Sequence, residues 1–349
     1  LLNRMDLSLE WRPLYDLYVK CMLGKSPRIP SDDDGINSIE AAIAACRQYF
    51  PLEATREILD EVRPFIHPFD GSMMRATRVM ALFLPTRLTK SQHEKYGAKL
   101  WIDEAWHWYT ITDNNNGYWE IMLLHLFARL SSESCGYYNW ADKFDVIFTR
   151  VMRMFNLSVR KDQISVGVGG NRVDLFSTWI VYMLGGKSDG AQGHLTQMLN
   201  SLEPYFHPSN TGEHTERLLV FLVALCNAFV FRLHKERYCH VEGHDIPPSM
   251  KLTDAQVDMF VESILPCAEW TIFAKGENGL TPQIMRSLAF LSPGIVLPSI
   301  LDVVYPSLST LVEPHRLVES LNCLVAVCVP LARDDVLGRK RRPLSDAVE

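Results

Sequence analysis

The stretch PYFHPSNTGEHTERLLVFLVALCNAFVFRLHKERY, residues 204–238, decides the fold. Leu218, Leu219, Leu222, Leu225, Phe229, Val230 and Leu233 recur within it at the spacing of one helix face. Asn210 stands at an N-cap position, and Glu213 three residues on completes the pattern of a capping box. Acidic Glu213 and Glu216 open the helix, while Arg232, His234, Lys235 and Arg237 close it, so both ends suit the helix dipole. The segment predicts a well-specified packing helix over 213–237. Its basic end, Arg232, Lys235 and Arg237, is also a candidate contact for an anion.

Outward from this segment, helical periodicity dominates. Helices are expected near 8–23, 37–49, 54–66, 71–84, 91–111, 118–131, 139–155, 172–184, 191–203, 253–275, 280–291, 296–304 and 313–331. In 54–66, Ile58, Leu59, Val62, Phe65 and Ile66 mark one face. Strand-like alternation is almost absent; SVGVGG at 165–170 comes nearest, and its glycines make it a loop. The breaks are short and often hold proline, as at Pro51, Pro64, Pro204, Pro293 and Pro314, where a lost donor ends or kinks a helix. Many amphipathic helices joined by short turns cannot bury their faces singly and need neighbours. The expected fold is therefore all-α, an α-solenoid of degenerate HEAT-like helix pairs over 1–333. Ser31–Gly35 and Asp113–Gly117 read as polar surface turns. From residue 334 periodicity is lost, so 334–349, with Arg339-Lys340-Arg341-Arg342, reads as a flexible basic linker or a short nuclear-import signal.

The composition is that of a folded chain: 349 residues, 47% hydrophobic and 22% charged. A net charge of −6 argues against a general nucleic-acid binder, which would carry a basic excess. No unbroken apolar run approaches the roughly 20 residues that span a bilayer, and no membrane contact is expected. Leu1-Leu2-Asn3-Arg4-Met5 lacks the make-up of a secretory signal, and the chain starts mid-pattern, as a piece of something larger would. The eight cysteines are scattered without a CxxC pair and read as buried reduced thiols of an intracellular protein.

Chemical motifs are weak throughout. Cys239, His240, Glu242 and His244 could ligate a metal, but a second cluster to complete four-coordination is missing, so a structural loop is the expected reading. Leu184-Gly185-Gly186-Lys187-Ser188 and Leu23-Gly24-Lys25-Ser26 imitate the end of a phosphate loop. Each lacks its first glycine and follows a helix instead of a strand. Neither GxSxG nor HExxH occurs. His125, His207, His214 and His315 are dispersed, and Trp101, Trp106, Trp108 and Tyr109 read as core and rim of a helix, less readily as a ligand cage. No catalytic or metal residue is assigned, and the chain is expected not to be an enzyme.

Read in order, WRPLYDLY (11–18), FPLEAT (50–55), RPFIHPFD (63–70), FLPTRL (83–88), KLWIDEAW (99–106), LFARL (126–130), FTRVMRMFNL (148–157), PYFHPSNTG (204–212), RLHKERY (232–238), KLTDAQV (251–257) and YPSLSTLVEPHRL (305–317) form a series. The series resembles the middle region of the large HEAT-repeat proteasome activators, the PA200/Blm10 family. The resemblance runs from about Trp11 to Leu331. It implies a non-catalytic segment of a dome that caps the 20S proteasome and adjusts entry to its gate. It further implies ATP- and ubiquitin-independent turnover of unfolded proteins and acetylated histones, in nucleus and cytoplasm. Family domes bind inositol phosphates at basic openings, which makes Arg232, Lys235 and Arg237 candidates for that contact. The family's docking tail has a penultimate tyrosine; Val348 stands there in this sequence, and nothing matches the acetyl-lysine-reading element. Other readings kept open are a HEAT-type adaptor such as a nuclear-transport receptor, and a metal-dependent hydrolase built on Cys239, His240, Glu242 and His244.

Overall fold

The computed structural model describes residues 7–23, 33–67, 71–111, 118–155, 157, 170–186, 190–207, 213–239, 246–273, 279–309, 314–331, 335–336 and 339–340. Contacts divide the chain into two compact units, Leu1–Tyr137 and Tyr138–Glu349, so the segment expected over 1–333 is shared between them.

The first unit holds α1 (Arg12–Leu23), α2 (Asp33–Cys46), α3 (Ala54–Val62), α4 (Ser72–Phe83), α5 (Lys90–Tyr96), α6 (Ile102–Thr110) and α7 (Tyr118–Glu133). Helix α1 packs on α2, α3 on α4, and α7 on both α4 and α6. Buried Phe83 is ringed by Trp11, Tyr15, Tyr18 and Phe50, with ring centroids 5.9–6.4 Å away. Three of these contacts are edge-on, the arrangement the ring quadrupole favours.

Two expectations change here. The turn expected at Ser31–Gly35 is partly helical, because α2 already begins at Asp33. The single helix expected over 91–111 is two, broken at Gly97, whose backbone (φ −124°, ψ −134°) leaves the helical region. A Cβ at Gly97 would lie 2.7 Å from both His93 Nδ1 and Leu88 Cδ1 and 2.9 Å from His93 Cα, so the chain crosses there only as glycine. His93, fully buried, secures the break. Its Nδ1 accepts from Ala98 N–H at 3.2 Å, and its Nε2 meets Ser134 Oγ at 2.9 Å. Thr89 and Gln92 close a reciprocal capping box at the start of α5.

The second unit holds α8 (Phe144–Met154), α9 (Gly170–Met183), α10 (Gly190–Leu202), α11 (Glu213–Tyr238), α12 (Asp254–Thr271), α13 (Leu280–Leu291), α14 (Pro293–Ser309) and α15 (Pro314–Leu331). Its helices alternate between two ranks. In one, α8, α10, α12 and α14 touch in succession; in the other, α9, α11, α13 and α15 do. Each helical pair thus adds one member to each rank, which is how a solenoid buries faces that a lone pair would expose. Pro293 and Pro314 occupy the first positions of α14 and α15, where the missing N–H costs nothing.

Helix α11 lies between α9 and α13 and buries Leu218, Leu219, Leu222, Leu225, Phe229 and Leu233 completely. Its residues His214–Tyr238 are long and apolar enough to cross a membrane by length and composition. The helix escapes a count of unbroken apolar runs because Asn227 interrupts its apolar stretch. Here that apolarity faces neighbouring helices, as in a buried core helix.

Beyond α15, β1 (Asp335–Val336) pairs antiparallel with β2 (Arg339–Lys340), Asp335 opposite Lys340. This short ladder lies where only flexible linker was expected. All other regular structure among the described residues is helical.

Candidate functional sites

The basic end of α11 was the leading candidate, and its three members fall in different places. Arg232 is fully buried. Its Nε donates to Glu236 Oε1 at 2.7 Å, Nη1 to the carbonyls of Val181 and Leu184, and Nη2 to Met250 O at 2.7 Å. The guanidinium also lies 5.4 Å from the Tyr182 ring centroid. Four of its five N–H donors go to the protein, so the buried Arg232 serves the fold as an internal clasp. Glu236 accepts in turn from Leu252 N–H at 2.9 Å, tying the end of α9, α11 and the approach to α12 together. Arg237 pairs with Asp254 at 2.8 Å, and Lys235 Nζ stands 5.8 Å from the Tyr182 ring.

Gly185 and Gly186, read as a phosphate-loop mimic, belong to this clasp. Both have φ near +90° and end α9 in the left-handed region. A Cβ on Gly185 would reach Met250 O at 2.7 Å and Arg232 Nη2 at 3.2 Å. Lys187, Ser188 and the second mimic, Gly24–Ser26, lie outside the described residues.

A related network occupies the first unit. Buried Arg129 of α7 donates from Nε to Thr86 Oγ1 at 2.8 Å and from Nη1 and Nη2 to the carbonyls of Ala81 and Leu84. Thr86 donates to Glu133 Oε2 at 2.5 Å, and Arg47 lies 3.4 Å from Glu133 Oε1. Beside them, burial above all, then the charges of Arg129 and Arg47, pulls the His125 pKa down to about 4. His125 is neutral at physiological pH, a packing residue. His214 is likewise lowered, by burial and then Arg217. His207 rests 5.0 Å from the Trp270 ring, and His315 lies 4.0 Å from Glu319.

The remaining candidates do not assemble chemistry. Trp101 and Tyr109 are buried, with Tyr109 edge-on against Phe127 at 5.5 Å, and Trp106 and Trp108 are half-buried, so this cluster is core and rim. Among the described residues no group of three potential metal ligands converges. Cys239 is exposed, while His240, Glu242 and His244 lie outside the described residues, as does the Asn210 cap. None of the eight cysteines is disulfide-bonded. Burial raises the thiol pKa of Cys267 and Cys323 to about 12 and that of Cys226 further, the opposite of activation.

One concave feature was not anticipated. A cavity of about 760 Å³ lies between α10 and α12, lined by Gln192, Gly193, Thr196, Gln197, Met259 and Glu262 among others. Its wall is a hydroxyl relay: Gln192 Nε2 donates to Ser263 Oγ at 3.1 Å, Thr196 and Ser263 hydroxyls meet at 2.8 Å, and Ser263 donates to Met259 O. No local signal announces it, because its two walls lie about 70 residues apart in sequence.

Comparison with known proteins fits this architecture. A family model described as "Proteasome activator complex subunit 4, mid HEAT repeats region" matches residues 195–338. Proteasome activator complex subunit 4 of Homo sapiens is 38% identical over 339 residues, 94% of this chain. The chain belongs to the PA200/Blm10 family. Within that family, subunit 4A of Danio rerio is 37% identical over 98% of this chain, and the Arabidopsis thaliana proteasome activator subunit 4 is 27% identical over 90%. The chain spans just under a fifth of the length of these curated relatives: 18% of the human protein and 19% of subunit 4A. The family's middle-region model takes in most of α10 and all of α11–α15, including Arg232, Glu236 and most of the cavity lining, while Val181, Leu184, Gln192 and Gly193 precede it.

Proposed function

We propose that this chain is a non-catalytic scaffold segment of a PA200/Blm10-type activator, one that caps the 20S proteasome and regulates substrate entry. The observation that carries the reading is the two-rank helical stack, of which most of α10 and all of α11–α15 fall in the family's middle HEAT region. Stacked ranks provide a wall and an opening, and the hydrolysis belongs to the partner. In this reading the parent acts without ATP or ubiquitin on unfolded proteins and acetylated histones, in nucleus and cytoplasm. The proposed inositol-phosphate contact at the end of α11 falls to Lys235 and Arg237, since Arg232 is held in the internal clasp.

The test is to add the full-length parent to purified 20S particles and follow hydrolysis of a fluorogenic peptide. Stimulation without ATP, co-sedimentation with 20S, and no hydrolysis by the parent alone are the expected results. Recovery of nuclear-transport cargo without 20S particles would instead support the adaptor reading. Titrating inositol hexakisphosphate into the K235Q/R237Q double variant tests the anion contact, with loss of binding expected.

A further inference from the structure

Large apolar side chains on the outside of the second unit are unevenly spread. Among the described residues, α8–α13 expose Val146, Phe231, Tyr238 and Trp270, whereas α14 and α15 alone expose six. On α14 these are Tyr305 and Leu308; on α15 they are Val318, Leu321, Val325 and Val329. Tyr305 is 64% and Val325 68% exposed, so the two helices both contribute to the face. The four on α15 recur at i, i+3, i+7 and i+11, which makes one stripe along the helix. Ser320, Cys323 and Val327 are buried, and α15 packs on α13 and α14. From Cys323 to Leu331 the helix holds no charged or amide side chain.

A solenoid that stops needs a last repeat with a polar outer face. Helix α15 presents the reverse, and contiguous exposed apolar surface marks a place of contact. Two further observations name the occupant. The two ranks run unbroken up to α14 and α15, so the next position in each rank lies over this face. The family model that takes in α15 is that of a middle HEAT region, and the chain spans under a fifth of its relatives, which therefore hold ample sequence for another pair. The β1–β2 ladder brings Lys340 back opposite Asp335, just past the end of α15, and so keeps the chain near that end instead of leading it away.

We propose that the apolar face of α14 and α15 seats a further helix pair of the same polypeptide, supplied by the parent beyond Glu349. One helix of that pair extends the rank of α14 over Tyr305 and Leu308. The other extends the rank of α15 over the Val318–Val329 stripe. The β1–β2 ladder is then part of a connector within the stack, not of a linker leading out of it. This goes beyond the scaffold reading and does not depend on docking to the proteasome.

Cys328, exposed on α15 between Val325 and Val329, reports whether the face is covered. Maleimide labelling is followed by mass spectrometry in the native parent, in the parent unfolded in urea, and in a parent truncated after Glu349. Cys328 should react at least about tenfold more slowly in the native parent than in the unfolded one, since a covered thiol reacts only through local opening. Truncation should abolish that protection, and so should Val325→Glu, which sets a charge under the docked helix. Buried Cys226 should stay unlabelled in each folded form, the sign that the stack itself is intact. In the 349-residue chain Val325→Glu should leave the melting temperature nearly unchanged, because its side chain faces water there. Rapid labelling of Cys328 in the native parent overturns the proposal. So does protection that survives truncation, which gives the face to another segment, or protection that fades on dilution as a dimer of the parent separates, which gives it to a second copy. The wild-type comparison needs no variant and decides the matter even if Val325→Glu fails to fold.

Discussion

Arg129 of α7 and Arg232 of α11 make the same contact in different units. Each guanidinium meets two carbonyls three residues apart at the end of the preceding partner helix: Ala81 and Leu84 for Arg129, Val181 and Leu184 for Arg232. Each arginine has a glutamate four residues on, reached directly by Arg232 and through Thr86 by Arg129. The last carbonyls of a helix have no intrahelical partner, and a buried helix end must find donors for them elsewhere. A forked guanidinium can satisfy two at once.

Arg232→Met should therefore be severe. It strands the carbonyls of Leu184 and Met250, takes one of two donors from that of Val181, and leaves Glu236 buried without its cation. Breaking a buried pair from one side costs about 3–5 kcal/mol. Arg232→Lys should cost nearly as much, because an ammonium cannot reproduce the fork. Urea midpoints give the loss, and hydrogen exchange should localise it to the end of α9. In R232M/E236Q part of the loss should return, since the stranded charge is gone.

Stability should also fall on acidification through His125. Burial lowers its folded pKa to about 4, against an unfolded value near 6.5. Because the folded pKa is the lower, the contribution is complete above pH 6.5 and is lost as pH falls from there toward 4. Between pH 7 and pH 5 the loss is about 2 kcal/mol. Urea melts at both pH values check this, and His125→Gln should remove that part of the slope.

The sequence made α11 legible because its periodicity is local: all six leucines and phenylalanines at its predicted core positions are buried, and Val230 alone is partly exposed. It did not reveal what Arg232 does. A basic residue near a helix end reads as dipole complement, whereas its real partners sit about 50 residues earlier at Val181 and Leu184. The R-x-x-x-E spacing at 129–133 and 232–236 was the available sign. The Thr253–Gln256 capping box is equally readable in sequence as T-x-x-Q. The α10–α12 cavity had no such sign. Gln192 and Ser263 acquire a relationship only when the helix rank forms.

Gly97 and Gly193 separate the two meanings of a glycine in helical pattern, and alanine at each should act in opposite directions. Were 91–111 one helix, Gly97→Ala would stabilise it by about 1 kcal/mol. The structure demands the reverse. A methyl group there meets His93 and Leu88 at 2.7 Å, and one of the close atoms, His93 Cα, is backbone that cannot swing aside. Overpacking of this kind costs about 1–3 kcal/mol. At Gly193 the methyl enters open space, so Gly193→Ala should gain about 0.5–1 kcal/mol from helix propensity alone. Urea midpoints of the two variants measured side by side decide the matter. A stabilised Gly97→Ala would show that the break between α5 and α6 is not held by close packing. A destabilised Gly193→Ala would mean that the space beside Gly193 is not open.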